Sequence, residues 1–381
     1  MPIALTAEQQ DLAASVREFC RREVGTKEQR DKLTDFGRNS HSLELNRKVA
    51  ELGWAAIDVP EEYGGAGGSH VDLCVLLSEL AKGMAPIPWL GTTLITAGIY
   101  NRFASEELKT QVLGRVADGV ALSISMSEAG AGSDVAALVC RAEKTEQGWV
   151  INGSKTWCTN AHLADSILLV ARTTRGDKKH HGLTMFHVPA GTEGLDIKPI
   201  DTMNGTEVND LYFTDCVLPD SAVIGEVDQG WKQLMAGLDT ERLILAAQAL
   251  GTAERAFDDC LNFVRERSQF GQAVGSFQTI KHRLADLATE IECARLMVFD
   301  VAQSADEPGR SPNLSRASSM AKLKATEVAK AMSIEGMQMM GGYGYSTEFD
   351  MVQHLRVSLG ATIFGGTNEI QREIIGRSLG L

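Results

Sequence analysis

Positive charge is what this chain has too little of. Thirty-seven Lys plus Arg stand against fifty Asp plus Glu, a formal net charge of -13. That balance excludes nucleic acid as a general partner, because sequence-independent binding needs cations to meet phosphates. A local basic patch for a phosphorylated ligand stays open. Long apolar runs are missing too, and with them any membrane-spanning helix. The opening stretch MPIALTAEQQDL has no basic-then-apolar leader pattern, so the expected location is cytoplasmic. Seven Cys are scattered without a C-x-x-C pair, which reads as reduced thiols and no metal site. Internal repeats and low-complexity tails are absent. What remains is 381 residues, 44% hydrophobic and 23% charged, enough for two or three packed domains around a large core.

Read in order, the chain is helical, then β, then helical. Thr6 followed by Gln9 is a capping-box signature for a helix to about Val24. A second helical pattern covers Leu43 to Leu52 and stops at Gly53. In VPEEYGGAGGSH (59–70), four glycines in five positions dictate a loop, and Ser69 is placed to cap a helix over Val71–Lys82. Helices are expected at Ile95–Phe103 and Glu106–Val112. From Val120 the texture changes to short β-prone runs: ALSISMSEAG, GWVINGSKTWCTNA, DSILLVART, GLTMFHVP and DLYFTDCVLP. Without convincing helices between them, they fit a small antiparallel barrel or sandwich better than a parallel nucleotide-binding sheet. Helices return at Gln229, with 231–267, 277–303 and 313–340 each long enough for a four-helix bundle; EPGRSPN (307–313) is a polar turn between two of them. The expected fold class is therefore mainly α with a β middle domain. Its expected domains are a helical domain (1–120), a β-domain (121–228) and a helical bundle (229–381).

One stretch breaks the pattern of an apolar helix. In LDTERLIL (238–245), helical spacing puts Leu234, Leu238, Glu241, Leu245 and Gln248 on one face. An unpaired carboxylate on such a face costs several kcal/mol, on the order of what one mutation can destroy. Arg242 points about 100° away and does not relieve it. Two readings stand: a Glu paired to a distant cation, or a desolvated base with a raised pKa facing a reactive carbon.

Other motifs are modest singly. AGAGSD (129–134) offers backbone N–H groups to a phosphate or flavin, but no third glycine completes a dinucleotide fingerprint, and a plain loop fits as well. Trp157 in NGSKTWCTNA either walls a planar cofactor or fills the core. Arg267 in RSQFGQAVGSFQTIKHRLADL suits a pyrophosphate or an exposed salt bridge. QMMGGYGY (338–345) leaves a helix through paired glycines, a C-cap or a site of close approach. FGGTNEIQREIIG (364–376) sets glycines and Thr367 before a helix N-terminus, which can receive an anion or oxyanion.

As a set and in this order, VPEEYGGAGGS, MSEAGAGSD, NGSKTWCTN, LDTER, RSQFGQAVGSFQ, QMMGGYGY and IFGGTNEIQREIIGR resemble the acyl-CoA dehydrogenase family over nearly the whole chain. The resemblance implies an α-helical domain, a β-domain and a helical bundle, assembled as a homotetramer with one FAD per subunit. It also implies loss of an α-proton from an acyl-CoA to a carboxylate and hydride transfer from the β-carbon to the flavin, giving a trans-2-enoyl-CoA. Electron-transfer flavoprotein is the implied acceptor.

The family's usual base is a Glu in a Tyr-Glu-Gly-Thr motif, and the matching position here is Gly365. Isovaleryl-CoA and long-chain acyl-CoA dehydrogenases are similar in having a small residue there. Their Glu lies in the helix motif that matches LDTER, which implies Glu241 as the base. Gly365, followed by Gly366, would offer backbone N–H to the thioester carbonyl alongside a ribityl hydroxyl of FAD. Ile124 to Ser133, including Met126 and Gly132, matches the flavin-binding strand and loop. Within it Ser127 matches a flavin-contacting hydroxyl and Ser133 also a CoA contact. Trp157, Cys158 and Thr159 match the segment against the isoalloxazine ring. Arg267, Phe270 and Gln278 match residues that reach the FAD pyrophosphate and adenine across a subunit interface. Gln338, Gly341 and Gly342 match another such segment, Thr367 and Glu369 a further FAD contact, and Asp239 and Arg242 substrate-proximal positions. Ala129 stands where Pro is frequent. The alternative implied by Gly365 is a low-activity flavin-binding partner subunit of a hetero-oligomer. A third reading turns the scaffold to flavin-dependent oxidation of a substrate without CoA.

Overall fold

The structure is a computed structural model that describes residues 4–307 and 309–381. Met1–Ile3 of the opening stretch and Pro308 of the EPGRSPN turn lie outside the described residues. Thr6 caps α1 (Ala7–Val24) as the sequence predicts: its hydroxyl accepts from Gln9 N at 3.2 Å, and the Gln9 side chain accepts from Thr6 N at 3.1 Å. α2 (Lys27–Leu33) escaped sequence reading because KEQRDKL carries no apolar stripe. α3 (Leu43–Glu51) ends before Gly53, whose φ is +76°. Ser69 and Asp72 form a second capping box, opening α4 (His70–Lys82). α5 (Leu90–Phe103) starts earlier than Ile95, and α6 (Glu106–Ala117) outlasts Val112 because Leu113 and Val116 are still buried.

The β region holds β1 (Leu122–Ser125), β2 (Arg141–Thr145), β3 (Gly148–Thr159), β4 (Ser166–Arg172), β5 (Leu183–Pro189), β6 (Leu195–Thr202), β7 (Gly205–Leu218) and β8 (Val223–Ile224). They join in the order β6-β7-β3-β2-β4-β5-β8, with β1 also on β4. One expectation needs correcting. β1 runs parallel to β4, and β2 meets β4 in parallel at Arg141 and Arg172, so the sheet is mixed rather than purely antiparallel. The β2–β3 hairpin separates β1 from β4 in sequence, and such a crossover permits parallel pairing. β6 went unread because Pro199 interrupts it; it is an edge strand, where a missing N–H costs no ladder bond.

The last third comprises α7 (Gly230–Glu266), a small hairpin of β9 (Ser268–Gln269) and β10 (Gln272–Ala273), α8 (Gln278–Asp306), α9 (Leu314–Met340), α10 (Gly342–Tyr345), α11 (Met351–Ala361) and α12 (Asn368–Ser378). Two compact units result. One comprises 33–68 and 86–238. Its helices α5 and α6 pack Tyr100 and Leu113 against Leu168 and Met185 of the sheet, while Ile151, Phe186 and Leu211 fill a second core. The other comprises 1–32, 69–85 and 239–381. Here α7 crosses α4 backbone to backbone: a carbon added at Gly251 would meet Ser78 O at 2.1 Å. α11 and α12 both lie on α9.

Candidate active site

In the helical unit the site begins with α7. Around Glu241 the fully buried side chains of this helix include Leu243, Ile244, Ala246, Ala247 and Leu250. The stripe read from the sequence is a different one: Leu234 is buried, but Leu238, Glu241, Leu245 and Gln248 are only partly buried. The helix is apolar on two faces, and periodicity cannot tell a filled face from one lining an open space. Glu241 thus stands where a small molecule can reach it.

Gly365 lies against this stripe. Its φ is +63°, and a side-chain carbon built there would sit 2.1 Å from Leu245 Cδ1 and 3.6 Å from Glu241 Oε1. Gly366 follows at φ +79°. Thr367 then caps α12, accepting from Ile370 N at 3.3 Å. Both glycine carbonyls are engaged from below: Gln371 Nε2 donates to Gly365 O at 3.1 Å and to Gly366 O at 2.9 Å. Lys322 Nζ also donates to Gly366 O, at 3.0 Å. Among the described residues, the N–H groups of Gly365, Gly366 and Thr367 meet no protein acceptor. Three unpaired donors at a helix N-terminus, beside a carboxylate, are an arrangement that can receive an anion or an oxyanion.

Among the described residues Glu241 makes no hydrogen bond and no short ion pair. Burial pushes its pKa above the usual carboxylate range, and the charges of Arg242 and Lys322 offset this only in part. Arg242 is committed elsewhere, donating to Asp239 at 2.8 Å and to Ser315 Oγ at 3.2 Å. Its charge is nonetheless felt at Glu241, so helical spacing alone understated its effect. Lys322 was missed: a Lys in ASSMAKLKA, two residues from Lys324, reads as solvent-facing by default.

The β-containing unit carries a second set. Trp157 has φ +60° and is 59% exposed at a register irregularity between Lys155 and Cys158, which excludes a core role. Strain of this kind is held in place by its surroundings and gathers at functional positions. Cys158 behaves oppositely. Its thiol lies in the core, 3.4 Å from Ile124 O, with burial pushing its pKa up to about 11, which keeps the thiol out of a ligand's reach. Thr159, Ile124, Met126 and Ser127 are half-buried, and Ser125 between them is buried.

The glycine-rich loop with Gly132 and Ser133 is exposed and pinned at its root. Lys155, fully buried, donates to Glu128 at 2.8 Å and to Met126 O at 2.9 Å. Glu128 in turn accepts from Val139 N at 2.7 Å and Cys140 N at 2.8 Å. Sequence reading missed this pair, although Lys155 falls on the inward phase of β3.

The third set lies on the helical unit. Arg267 makes no ion pair among the described residues; its guanidinium rests 5.2 Å from the Tyr343 ring. Phe270, at the tip of the β9–β10 hairpin, is 94% exposed with φ +52°. Gln278 opens α8, also exposed. Gln338, Gly341 and Gly342 line a cleft of about 440 Å³, with Gly341 as the α9 C-cap. Thr367 and Glu369 line another of about 380 Å³ at the start of α12. Within the helical unit, a free run of amides and open clefts can receive the anionic part of a large ligand, and in the other unit the exposed Trp157 offers a flat face to a planar one.

Family models agree with that fit. The N-terminal, middle and C-terminal domain models of acyl-CoA dehydrogenase match residues 6–120, 123–216 and 228–380. The chain belongs to the acyl-CoA dehydrogenase family. It is an FAD-dependent oxidoreductase that dehydrogenates acyl-CoA. Probable acyl-CoA dehydrogenase FadE25 of Mycobacterium tuberculosis is 35% identical over 86% of this chain and 85% of its own length. Mitochondrial isovaleryl-CoA dehydrogenase of Solanum tuberosum is 31% identical over 97% and 90%. The solved FAD complex of PigA superposes with a TM-score of 0.92 at 28% identity, covering 100% of both chains. No helix among the described residues is long and apolar enough to cross a membrane.

Proposed function

We propose that Glu241 is the base of this dehydrogenase and that Gly365 supplies an oxyanion donor. The observation that carries the reading is the unpaired Glu241 carboxylate lying beside the unpaired Gly365–Thr367 amides. Removing a weakly acidic α-proton needs a desolvated base and a polarised thioester carbonyl, and these groups supply one each. Glu241 takes the proton on a carboxylate oxygen; the amide of Gly365 receives the developing enolate oxygen. Bound FAD supplies the hydride acceptor. Ile124, Met126, Ser127, Gly132, Trp157, Thr159 and the backbone at Cys158 would hold its flavin end. Arg267, Phe270, Gln278, Gln338, Gly341, Gly342, Thr367 and Glu369 would hold its phosphates and adenosine. Ser133, Asp239, Arg242 and Gly366 would border the substrate.

By the same resemblance the chain works as a homotetramer in the cytoplasm and passes electrons to an electron-transfer flavoprotein. With its base on α7 rather than at 365, the enzyme prefers branched, long or ring-bearing acyl groups. Anaerobic mixing with an acyl-CoA panel, following loss of oxidised-flavin absorbance, tests this. The expected result is faster bleaching by those substrates than by butyryl-CoA; best turnover with butyryl-CoA would refute the preference.

A further inference from the structure

A fully buried polar cluster supports the glycine turn. Lys322 on α9 donates to Gly366 O at 3.0 Å and to Asn368 Oδ1 at 3.2 Å. Thr326, one turn along, donates to the same Asn368 oxygen at 3.0 Å. Gln371 holds both glycine carbonyls. None of these four side chains is more than 4% exposed. Joining α9 to α12 does not demand such a cluster. Well-packed apolar residues are often as stable as buried charges, which carry a desolvation cost of several kcal/mol, on the order of a large single-mutation effect. The cluster's particular product is the turn: both carbonyls are tied inward, and the three successive amides remain unpaired.

An ammonium has three N–H groups. Two of those on Lys322 are used, and the third meets no acceptor among the described residues. Glu241 is the carboxylate whose charge acts most strongly on Lys322, with Glu369 of α12 second. The other charged groups in this electrostatic set lie on α7 itself: Arg242, and the Asp239 that engages it. Burial pulls Lys322 down to about 8, so it remains charged at neutral pH.

We propose that Lys322 is a positioning residue that couples the two halves of the proton-transfer site, donating one N–H to the Gly366 carbonyl and one to Asn368 at the start of α12 while its cation backs the turn that lies against Glu241. The inference rests on Glu241 being the base. A purely structural role would need only the packing and the hydrogen bonds, and would be blind to the charge. A carboxylate base works ionised, so activity falls as pH drops through its pKa. Losing the neighbouring cation raises that pKa and moves the acid limb to higher pH.

The test is Lys322→Met in the FAD-loaded enzyme, with Lys322→Gln as the second variant should the first fail to fold. Glu241 is titrated by infrared difference spectroscopy, its carboxyl band assigned by its absence in Glu241→Gln. The expected result is a Glu241 titration displaced upward by about one pH unit, tenfold in proton affinity, with the acid limb of kcat/KM moving alongside it. An unchanged titration in the folded variant overturns the proposal, even if turnover falls. Wild-type flavin reduction by Glu241→Gln would instead refute the base, and the infrared titration would still decide what Lys322 does to its charge.

Discussion

At Gly365 one added methyl group is enough to disturb the site. It would come within 2.1 Å of Leu245 Cδ1, from a backbone at φ +63° that L side chains adopt at a cost of about 1–2 kcal/mol. The Glu241 carboxylate lies 3.6 Å from the same point, so the missing side chain at 365 and the acidic one at 241 occupy neighbouring space. Gly365→Ala is expected to lower the melting temperature by a few degrees and to slow flavin reduction, because the turn must move away from α7. Calorimetry and stopped-flow absorbance check this; an unchanged melt would mean that Leu245 yields freely. Glu241 was legible in the sequence because a carboxylate amid leucines is conspicuous. Lys322 and Lys155 were not, because burial of a lysine depends on acceptors contributed by distant segments: Gly366 and Asn368 for one, Glu128 for the other.

At the scale of elements, what could be read was what local chemistry decides. The capping boxes at Thr6 and Ser69 fixed two helix starts, and the long apolar periodicity of α7, α8 and α9 placed them within a few residues. β2 and α2 were missed because their polar composition shows no periodic face, β6 because Pro199 interrupts it, and the parallel pairing of β1 with β4 is a tertiary fact. The Gly-rich loop after β1 shows how an element is held in place for function. Its glycines look free in sequence, yet its root is locked by the buried Lys155–Glu128 pair. Removing one partner of such a pair typically costs about 3–5 kcal/mol, because the other charge is left in the dark. Here Glu128 keeps two backbone donors, so the low end applies. Lys155→Met is expected to reduce thermal stability and to release FAD on gel filtration. Retention of both would contradict the assignment of this loop to the cofactor.

Over the whole molecule, the two compact units each carry a complete local geometry: a strained, exposed Trp157 with its pinned loop in one, and the Glu241–Gly365 pair with its buried lysine in the other. Composition marked the chain as acidic and without a membrane span, but family membership was legible only from the order of seven motifs. Each of those motifs taken singly has an ordinary structural reading. The proposed chemistry rests on one ionisable side chain, Glu241. Anaerobic stopped-flow mixing of Glu241→Gln with the best acyl-CoA of the panel, beside wild type, tests it most directly. Flavin bleaching is expected to slow roughly 10²–10⁴-fold, the usual contribution of a positioned base, with FAD still bound. Bleaching at the wild-type rate would contradict it.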